Sequence, residues 1–218
     1  MPTPQAISRH SRIATLIAIT AAVLTLSAAS PTSAQTWNET GDAGSLISTA
    51  QTTLGSGTLT AIDGNLSSST DVDVYCIKML SVPPAGLPLF QLQCIVNNGP
   101  NVWLFDATGK GVFTNSTCSA NSKTILAPNV SLATGTYYVA VSYTGLNPQA
   151  SAGAIWNTAI TTQHAPDGPG AAGSLTGWAG TPIVQPINPY HLAMAFMSYC
   201  DAATPAVRST WGSLKIRY

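Results

Sequence analysis

The chain has 218 residues, a formal net charge of zero and only 7% charged residues, against about 25% in an ordinary soluble domain. Eight lysines and arginines cannot neutralise many phosphates, so the composition excludes a nucleic-acid binder that relies on a basic surface. With 45% hydrophobic residues the chain can bury a core, which excludes a disordered tail, and it has too few charged pairs for a long helical bundle. A low-charge chain rich in Ser, Thr and Gly favours a β protein.

Residues 1–34 have the parts of a secretory signal peptide. Arg9 and Arg12 precede an apolar run at residues 13–26, and small residues follow this run up to Ala34. We place the cut after Ala34, with a cut a few residues earlier as the alternative. The apolar run spans 14 residues, which is short of the roughly 20 that a membrane-spanning helix needs. We therefore expect the rest of the chain to be one exported domain without a membrane span, located outside the cell, at its surface or in the periplasm.

Alternation of apolar and polar residues predicts a series of short strands. The clearest are residues 71–79 and 135–143, which are rich in β-branched and aromatic side chains. Turn residues separate the other predicted strands, at residues 59–66, 87–96, 102–106, 111–113 and 123–126. Strands at this spacing are typical of an antiparallel sandwich or barrel. We predict an all-β domain over residues 35–218 with its core at residues 59–200.

Helix signals are nearly absent from the mature chain. A short helix is compatible with residues 45–51, and residues 191–199 fit a helix and a late strand about equally well. The C-terminal extension, residues 201–218, includes the segment 209–218, which is compatible with a final strand or a tail.

Residues 145–190 are rich in Pro and Gly and form too long a stretch for a structureless loop in a compact domain. We predict an ordered but irregular excursion with a strand at residues 154–160, held against the sandwich by Trp156 and Trp178. The alternative is that these two tryptophans are exposed, in which case their flat rings could stack on a sugar. An extracellular polysaccharide or protein is the partner class that we expect.

The four cysteines, Cys76, Cys94, Cys118 and Cys200, all follow the signal segment, and an even number in an exported chain predicts two disulfides. Three pairings are possible. A hairpin centred near Ala85 would set Cys76 opposite Cys94, although their side-chain parity argues against it. We favour Cys76–Cys94 with Cys118–Cys200. A structural zinc site is disfavoured, because the cysteines are scattered and no CxxC motif is present.

Several segments, in this order along the chain, resemble bacterial pre-peptidase C-terminal (PPC-like) domains. They are residues 39–44 (ETGDAG), 71–75 (DVDVY), 103–106 (WLFD) and 135–141 (GTYYVAV), and the later residues 168–170, 175–178 and 189–193 are similar to the closing part of long, single-domain secreted members. The resemblance implies a jelly-roll type of β-sandwich outside the cell. It also implies a targeting or accessory module and not a catalyst, with relatives that include collagen-binding modules, some of which bind calcium.

Asp71, Asp73 and Asp106 are the residues that we predict for a metal site. Calcium takes six to eight oxygen ligands, largely from carboxylates and carbonyls. Asp71 and Asp73 should project to the same side of one strand, roughly 7 Å apart, and Asp42, Asp63 or Asn115 could join them. The alternative is that Asp73 caps a turn or accepts backbone N–H groups at the start of the strand. Calcium is the only cofactor that the sequence suggests, and the fold does not require one.

A catalytic site is not predicted. His164 and His191 are the two histidines after the signal segment, and no G-x-S-x-G nucleophile elbow accompanies them. Paired carboxylates for sugar hydrolysis are also disfavoured, since the one glutamate of the chain, Glu39, lies near the expected new N-terminus, where we expect it to be mobile. The prediction is a binding or adhesion module. The alternatives are a small secreted hydrolase that uses His164 or His191, and a structural component of the envelope or matrix.

Overall fold

The computed structural model describes residues 35–93, 99–115, 122–126, 132–157, 163–183 and 189–202. All of them lie in the second of two compact units of the chain, which begins at Thr32. The described part contains one 3-10 helix, Ile47–Thr49, and fifteen strands. The strands are β1 (Gln35–Asn38), β2 (Gln51–Thr52), β3 (Leu54–Gly55), β4 (Thr58–Gly64), β5 (Val72–Met79), β6 (Pro88–Gln93), β7 (Asn101–Asp106), β8 (Gly111–Asn115), β9 (Ser122–Leu126), β10 (Gly135–Ser142), β11 (Asn147–Ala150), β12 (Gly153–Ala154), β13 (Gly177–Ala179), β14 (Tyr190–Tyr199) and β15 (Asp201–Ala202). The all-β prediction is confirmed.

Ten of these strands belong to one sheet, in the order β1-β4-β14-β5-β10-β7-β8, with β2 paired to β5, and β6 paired to both β14 and β9. Most pairs are antiparallel, whereas β1–β4 and β2–β5 are parallel. A three-stranded sheet, β12-β11-β13, and a two-stranded sheet, β15-β3, complete the described part. This arrangement is consistent with a β-sandwich.

The central strands β5, β10 and β7 are buried on both faces. One face, which includes Ile77, Val139 and Leu104, contributes to the larger core cluster. The opposite face, which includes Val74 and Trp103, belongs to a second cluster. Because side chains alternate between the two faces of each strand, these strands contribute to two separate cores, one on each face.

The Pro/Gly-rich excursion supplies the cover for the second core. It forms β11, β12 and β13, and its Ile155 and Trp156 are fully buried. The Trp156 ring packs against Trp103 and Phe105, with centroids 5.3 and 5.7 Å apart. The described part of the excursion is thus ordered, as predicted, but its strand at this point is only Gly153–Ala154, and residues 158–160 of the predicted strand lie outside the described residues.

Strand β14 changes partners part-way along its length. It pairs with β6 up to Met194 and with β5 from Met197 onward. Against β4, Ala193 and Met197 pair with residues only two positions apart, so the three residues between them form a bulge. Phe196, in this bulge, has a φ of 65°, which is a strained conformation for a bulky residue. An apolar groove of about 310 Å³ opens between the bulge and the start of β6.

The disulfide pairing predicted from the sequence is wrong for both Cys76 and Cys200. The structure joins Cys76 to Cys200, with Cα atoms 5.4 Å apart. Strands β5 and β6 do not form the expected hairpin, because each of them pairs with β14 instead. Tyr199 lies opposite Ile77 in the β14–β5 ladder, and this register brings the next residue, Cys200, beside Cys76. Cys94 and Cys118 lie outside the described residues.

Among the helices of the described residues, none is long and apolar enough to cross a membrane.

Candidate metal centre

Three carboxylates meet at the end of the larger core. Ligand atoms of Glu39, Asp42 and Asp73 all lie within 4.8 Å of one another. Asp73 comes from β5 and is fully buried, Glu39 follows β1 and is half-buried, and Asp42 is exposed in the loop after it. The cluster therefore joins a loop near the start of the described chain to a central strand.

The position of Glu39 follows from the pairing of β1 with β4. The Glu39 N–H extends this parallel ladder by donating to the carbonyl of Asp63 at 2.9 Å. Its carboxylate then accepts two backbone N–H groups, from Ala43 on Oε1 and from Asn65 on Oε2, each at 2.8 Å. The residue that we expected to be mobile is therefore held by three hydrogen bonds, one to its backbone and two to its side chain.

The loop at residues 40–44 is fixed over β5 by contacts at both ends. Gln51 binds the backbone of Thr40 twice, accepting its N–H at 3.0 Å and donating to its carbonyl at 2.7 Å. Gly41 turns the chain with a φ of 74°, a value that favours glycine. At the far end, the carbonyl of Gly44 accepts the N–H of Val74 at 3.1 Å. Asp42 is thereby held above the buried Asp73.

Asp73 points into the core because it lies on the same face of β5 as Tyr75 and Ile77, which are two and four residues further along the strand. Its Oδ2 accepts the hydroxyl proton of Tyr190 at 2.6 Å. Its Oδ1 is buried and has no hydrogen-bond partner. The pKa of Asp73 is raised from 3.8 to about 8, chiefly by burial. The hydrogen bond from Tyr190 acts in the opposite direction, and the charge of Glu39 contributes to the rise.

Two tyrosines complete the surroundings of Asp73. The hydroxyls of Tyr75 and Tyr190 are 2.6 Å apart, and burial raises the pKa of both phenols above the ordinary value of 10.0. The Trp37 ring packs edge-on against Tyr75 with centroids 5.8 Å apart. Water is therefore excluded from the core side of the cluster, and both phenols remain protonated donors at neutral pH.

The predicted trio of Asp71, Asp73 and Asp106 is not brought together. Asp106 lies at the end of β7, four residues beyond the position that shares the register of Asp73, or about 13 Å along the strand. Its Oδ1 accepts the N–H groups of Thr108 and Lys110, at 2.7 and 3.1 Å. Asp71 accepts the N–H of Ser67 on Oδ2 at 2.5 Å. Asp71 and Asp106 therefore both accept backbone N–H groups beside turns, whereas Asp73, for which we considered that role, accepts the hydroxyl proton of Tyr190.

The three residues considered as additional ligands have different outcomes. Asp42 lies in the carboxylate cluster. Asp63 contacts His191, and the Asn115 amide donates to the carbonyl of Thr124 at 2.7 Å. Sequence reasoning missed Glu39 as a candidate ligand, and it missed Tyr75 and Tyr190 as the residues around Asp73. The signal for Glu39 was present in the ETGDAG segment, which carries two carboxylates within four residues.

Each of the two histidines has an aspartate beside it. Nδ1 of His191 lies 2.5 Å from Oδ1 of Asp63 across the β14–β4 ladder, at a partly exposed surface. Nε2 of His164 lies 3.5 Å from Oδ1 of Asp167 in the excursion. If the chain were a hydrolase, one of these two pairs would have to supply its catalytic histidine. The hydrolase alternative stays a prediction.

The two tryptophans suggested for sugar stacking are both packed against the second core. Trp156 is fully buried, so it offers no ring face to a sugar, and the expectation of its exposure is wrong. Trp178 is partly buried, its ring packs against Trp103 at 5.9 Å, and its Nε1–H donates to the carbonyl of Ser45 at 2.7 Å. Trp178 is therefore the only one of the two with part of its ring at the surface.

Comparison with known proteins adds no family assignment. A scan against models of known families found no match, and a search of curated proteins found none either.

Proposed function

We propose that this chain is an exported, non-catalytic β-sandwich module that binds an extracellular polysaccharide or protein, and that calcium held by Glu39, Asp42 and Asp73 is part of the folded domain. The basic and apolar leader supports export. The resemblance of several segments to PPC-like domains supports a binding module, and the all-β fold fits such a domain.

The observation that carries the proposal is the state of the Asp73 carboxylate. A buried charge is stable only when it is paired or binds a metal, and otherwise the group keeps its proton. Here one oxygen of a fully buried carboxylate has no partner, and two further carboxylates lie within 4.8 Å. A divalent cation in contact with all three would satisfy the free oxygen and offset the repulsion at the same time.

The described part of the chain supplies no basic side chain for this cluster. Its ion pairs join His164 to Asp167 and His191 to Asp63, and no lysine or arginine bridges to the three clustered carboxylates. The donor set consists of hard oxygens, which suits calcium, and backbone carbonyls or water can complete its coordination. When bound, calcium would supply positive charge and a link between the loop of Asp42 and strand β5.

Calorimetric titration of calcium into EDTA-treated protein tests the site. We expect heat of binding in the wild type and in Asp106→Asn, which removes a carboxylate outside the cluster, and none in Asp73→Asn. Free calcium at a hundred times Kd should stabilise the wild type by about 2.7 kcal/mol, which corresponds to a rise in Tm of roughly 5–10 °C for a domain of this size. Equal heats in the wild type and Asp73→Asn, or no heat in either, would reject the proposed site.

Pull-down on insoluble polysaccharides and on immobilised matrix proteins tests the binding role. We expect retention on one of these supports in calcium and weaker retention in EDTA. A screen with peptide and glycan substrates separates the hydrolase alternative. Turnover that is lost in His191→Ala or His164→Ala would contradict a non-catalytic role.

A further inference from the structure

The two oxygens of the Asp73 carboxylate have different surroundings. Oδ2 accepts a hydrogen bond of 2.6 Å from the hydroxyl of Tyr190, whereas Oδ1 is buried without a partner. Tyr190 is itself 2% exposed, so no water competes for its proton. The carboxylate is therefore held in one orientation, with one oxygen occupied and the other left open.

The direction of the hydrogen bonds follows from counting protons. When Asp73 is ionised, as it is when it binds a cation, the single hydroxyl proton of Tyr190 is donated to it. In the 2.6 Å contact between the two tyrosines, Tyr75 must therefore be the donor and the oxygen of Tyr190 the acceptor. A chain of this kind polarises each successive bond, which strengthens the last donor. Tyr75 thus supports the bond from Tyr190 to Asp73.

The backbone around the two tyrosines leaves room for this chain. Gly64 of β4 lies directly opposite Tyr190 of β14 in the ladder. A Cβ at this position would lie 2.6 Å from the Tyr75 hydroxyl and would also overlap that of Tyr190. The hydroxyl pair occupies the space that a side chain at Gly64 would fill.

We propose that Tyr190 is a positioning residue that commits Asp73 to bind a cation through Oδ1 alone, and that Tyr75 acts on Asp73 through Tyr190. The inference rests on the proposed cation site. A carboxylate can bind calcium through one or both of its oxygens. A hydrogen-bond donor fixed on Oδ2 prevents this oxygen from binding the cation. Partners of this kind behind a metal ligand commonly change metal affinity by roughly 10–100-fold.

Terbium(III), a luminescent substitute for calcium, distinguishes this role from a purely structural one. Tyr75 and Trp37, whose rings are 5.8 Å apart, can sensitise its emission even when Tyr190 is replaced. Titration midpoints give the affinity, and emission lifetimes in H₂O and D₂O give the number of water molecules on the ion. Tyr190→Phe is compared with Tyr199→Phe, which removes another hydroxyl of β14, one that donates to Gln35 at 2.9 Å.

In Tyr190→Phe we expect terbium affinity to fall at least tenfold and the ion to carry about one water molecule fewer, because the freed Oδ2 of Asp73 becomes a second ligand atom. Tyr199→Phe should match the wild type in both readouts. Wild-type terbium binding with unchanged affinity and hydration in Tyr190→Phe would overturn this inference alone. Absence of terbium binding in the wild type would overturn the proposed site itself.

A second variant covers the case in which Tyr190→Phe does not fold. Tyr75→Phe removes only the outer hydroxyl of the chain and leaves the donor to Asp73 in place. We expect a smaller loss of terbium affinity, between twofold and tenfold, with the hydration of the ion unchanged. Affinity equal to that of the wild type in Tyr75→Phe would overturn the role assigned to the tyrosine pair.

Discussion

The stability of the calcium-free protein should decrease as the pH rises from 5 to 7, and Asp73 should be the cause. Burial raises the pKa of this carboxyl in the folded state to about 8, from 3.8. Between these two values the folded state keeps the proton and the unfolded state has lost it. Unfolding then releases one proton, so the free energy of unfolding falls with pH by about 1.4 kcal/mol per unit. From pH 5 to 7 the loss amounts to roughly 2.5 kcal/mol.

Urea unfolding at pH 5, 6 and 7 in EDTA, with the disulfides intact, measures this slope. Asp73→Asn cannot titrate at this position, so its slope should be smaller than that of the wild type by about 1.4 kcal/mol per unit. Asp106→Asn, which removes a carboxylate at a turn, should keep the wild-type slope. Any contribution from the histidines is common to all three proteins and cancels in the difference. Equal slopes in the wild type and Asp73→Asn would refute the reasoning.

Saturating calcium should remove the same slope in the wild type. A bound cation holds Asp73 ionised, so neither the folded nor the unfolded state carries its proton between pH 5 and 7. Proton and cation therefore compete for one carboxylate, and calcium affinity should rise by close to tenfold per pH unit below about 8. Stabilisation by calcium that is independent of pH would show that the cation binds elsewhere.

Three further substitutions test the contacts around the site and the second core. Cys200→Ser should lower the free energy of unfolding by about 2–5 kcal/mol, and a non-reduced digest of the wild type should link Cys200 to Cys76, so that any other link from Cys76 would contradict the assignment. Gly64→Ala should lower it by about 1–3 kcal/mol because its Cβ overlaps the tyrosine hydroxyls, whereas an unchanged urea midpoint would show that they can move aside. Trp178→Phe removes the hydrogen bond to the Ser45 carbonyl and should lower the free energy of unfolding by about 1 kcal/mol. An unchanged free energy in the same urea assay would show that this hydrogen bond does not stabilise the domain.

The strands were predictable where both faces of a segment are buried or where polar and apolar residues alternate cleanly. Residues 71–79 and 135–143 became β5 and β10, with ends that differ by one residue at most. The ambiguity at residues 191–199 could not be resolved from composition, because Leu, Ala and Met favour a helix whereas Phe and Tyr favour a strand. Pairing partners decide between the two. This segment is β14, the strand that pairs with β4, β5 and β6. Strand β1 gave no signal at all, since its four residues carry no apolar alternation.

The candidate site was only half predictable for the same reason. Asp73 was found from its own strand, because a carboxylate in a strongly apolar run stands out in the sequence. Glu39 and Asp42 lie more than thirty residues before it. The parallel pairing of β1 with β4 places Glu39 beside β5, and the contacts of the loop at residues 40–44 place Asp42 there. Asp71 was predicted from its spacing with Asp73, and Asp106 was grouped with them, but both accept backbone N–H groups beside turns.

The acidic residues of the chain are concentrated around the carboxylate cluster of Glu39, Asp42 and Asp73. The chain has only eight acidic residues, and four of them gather at one corner, where the charges of Glu39, Asp71 and Asp42 all raise the pKa of Asp73. Such repulsion opposes folding, and the described residues place no lysine or arginine there to offset it. A chain that needed only to fold could replace the buried aspartate by an apolar residue and be as stable or more so. The buried carboxylate, with its fixed orientation and its open oxygen, therefore fits the cation that we propose better than it fits a purely structural role in the core.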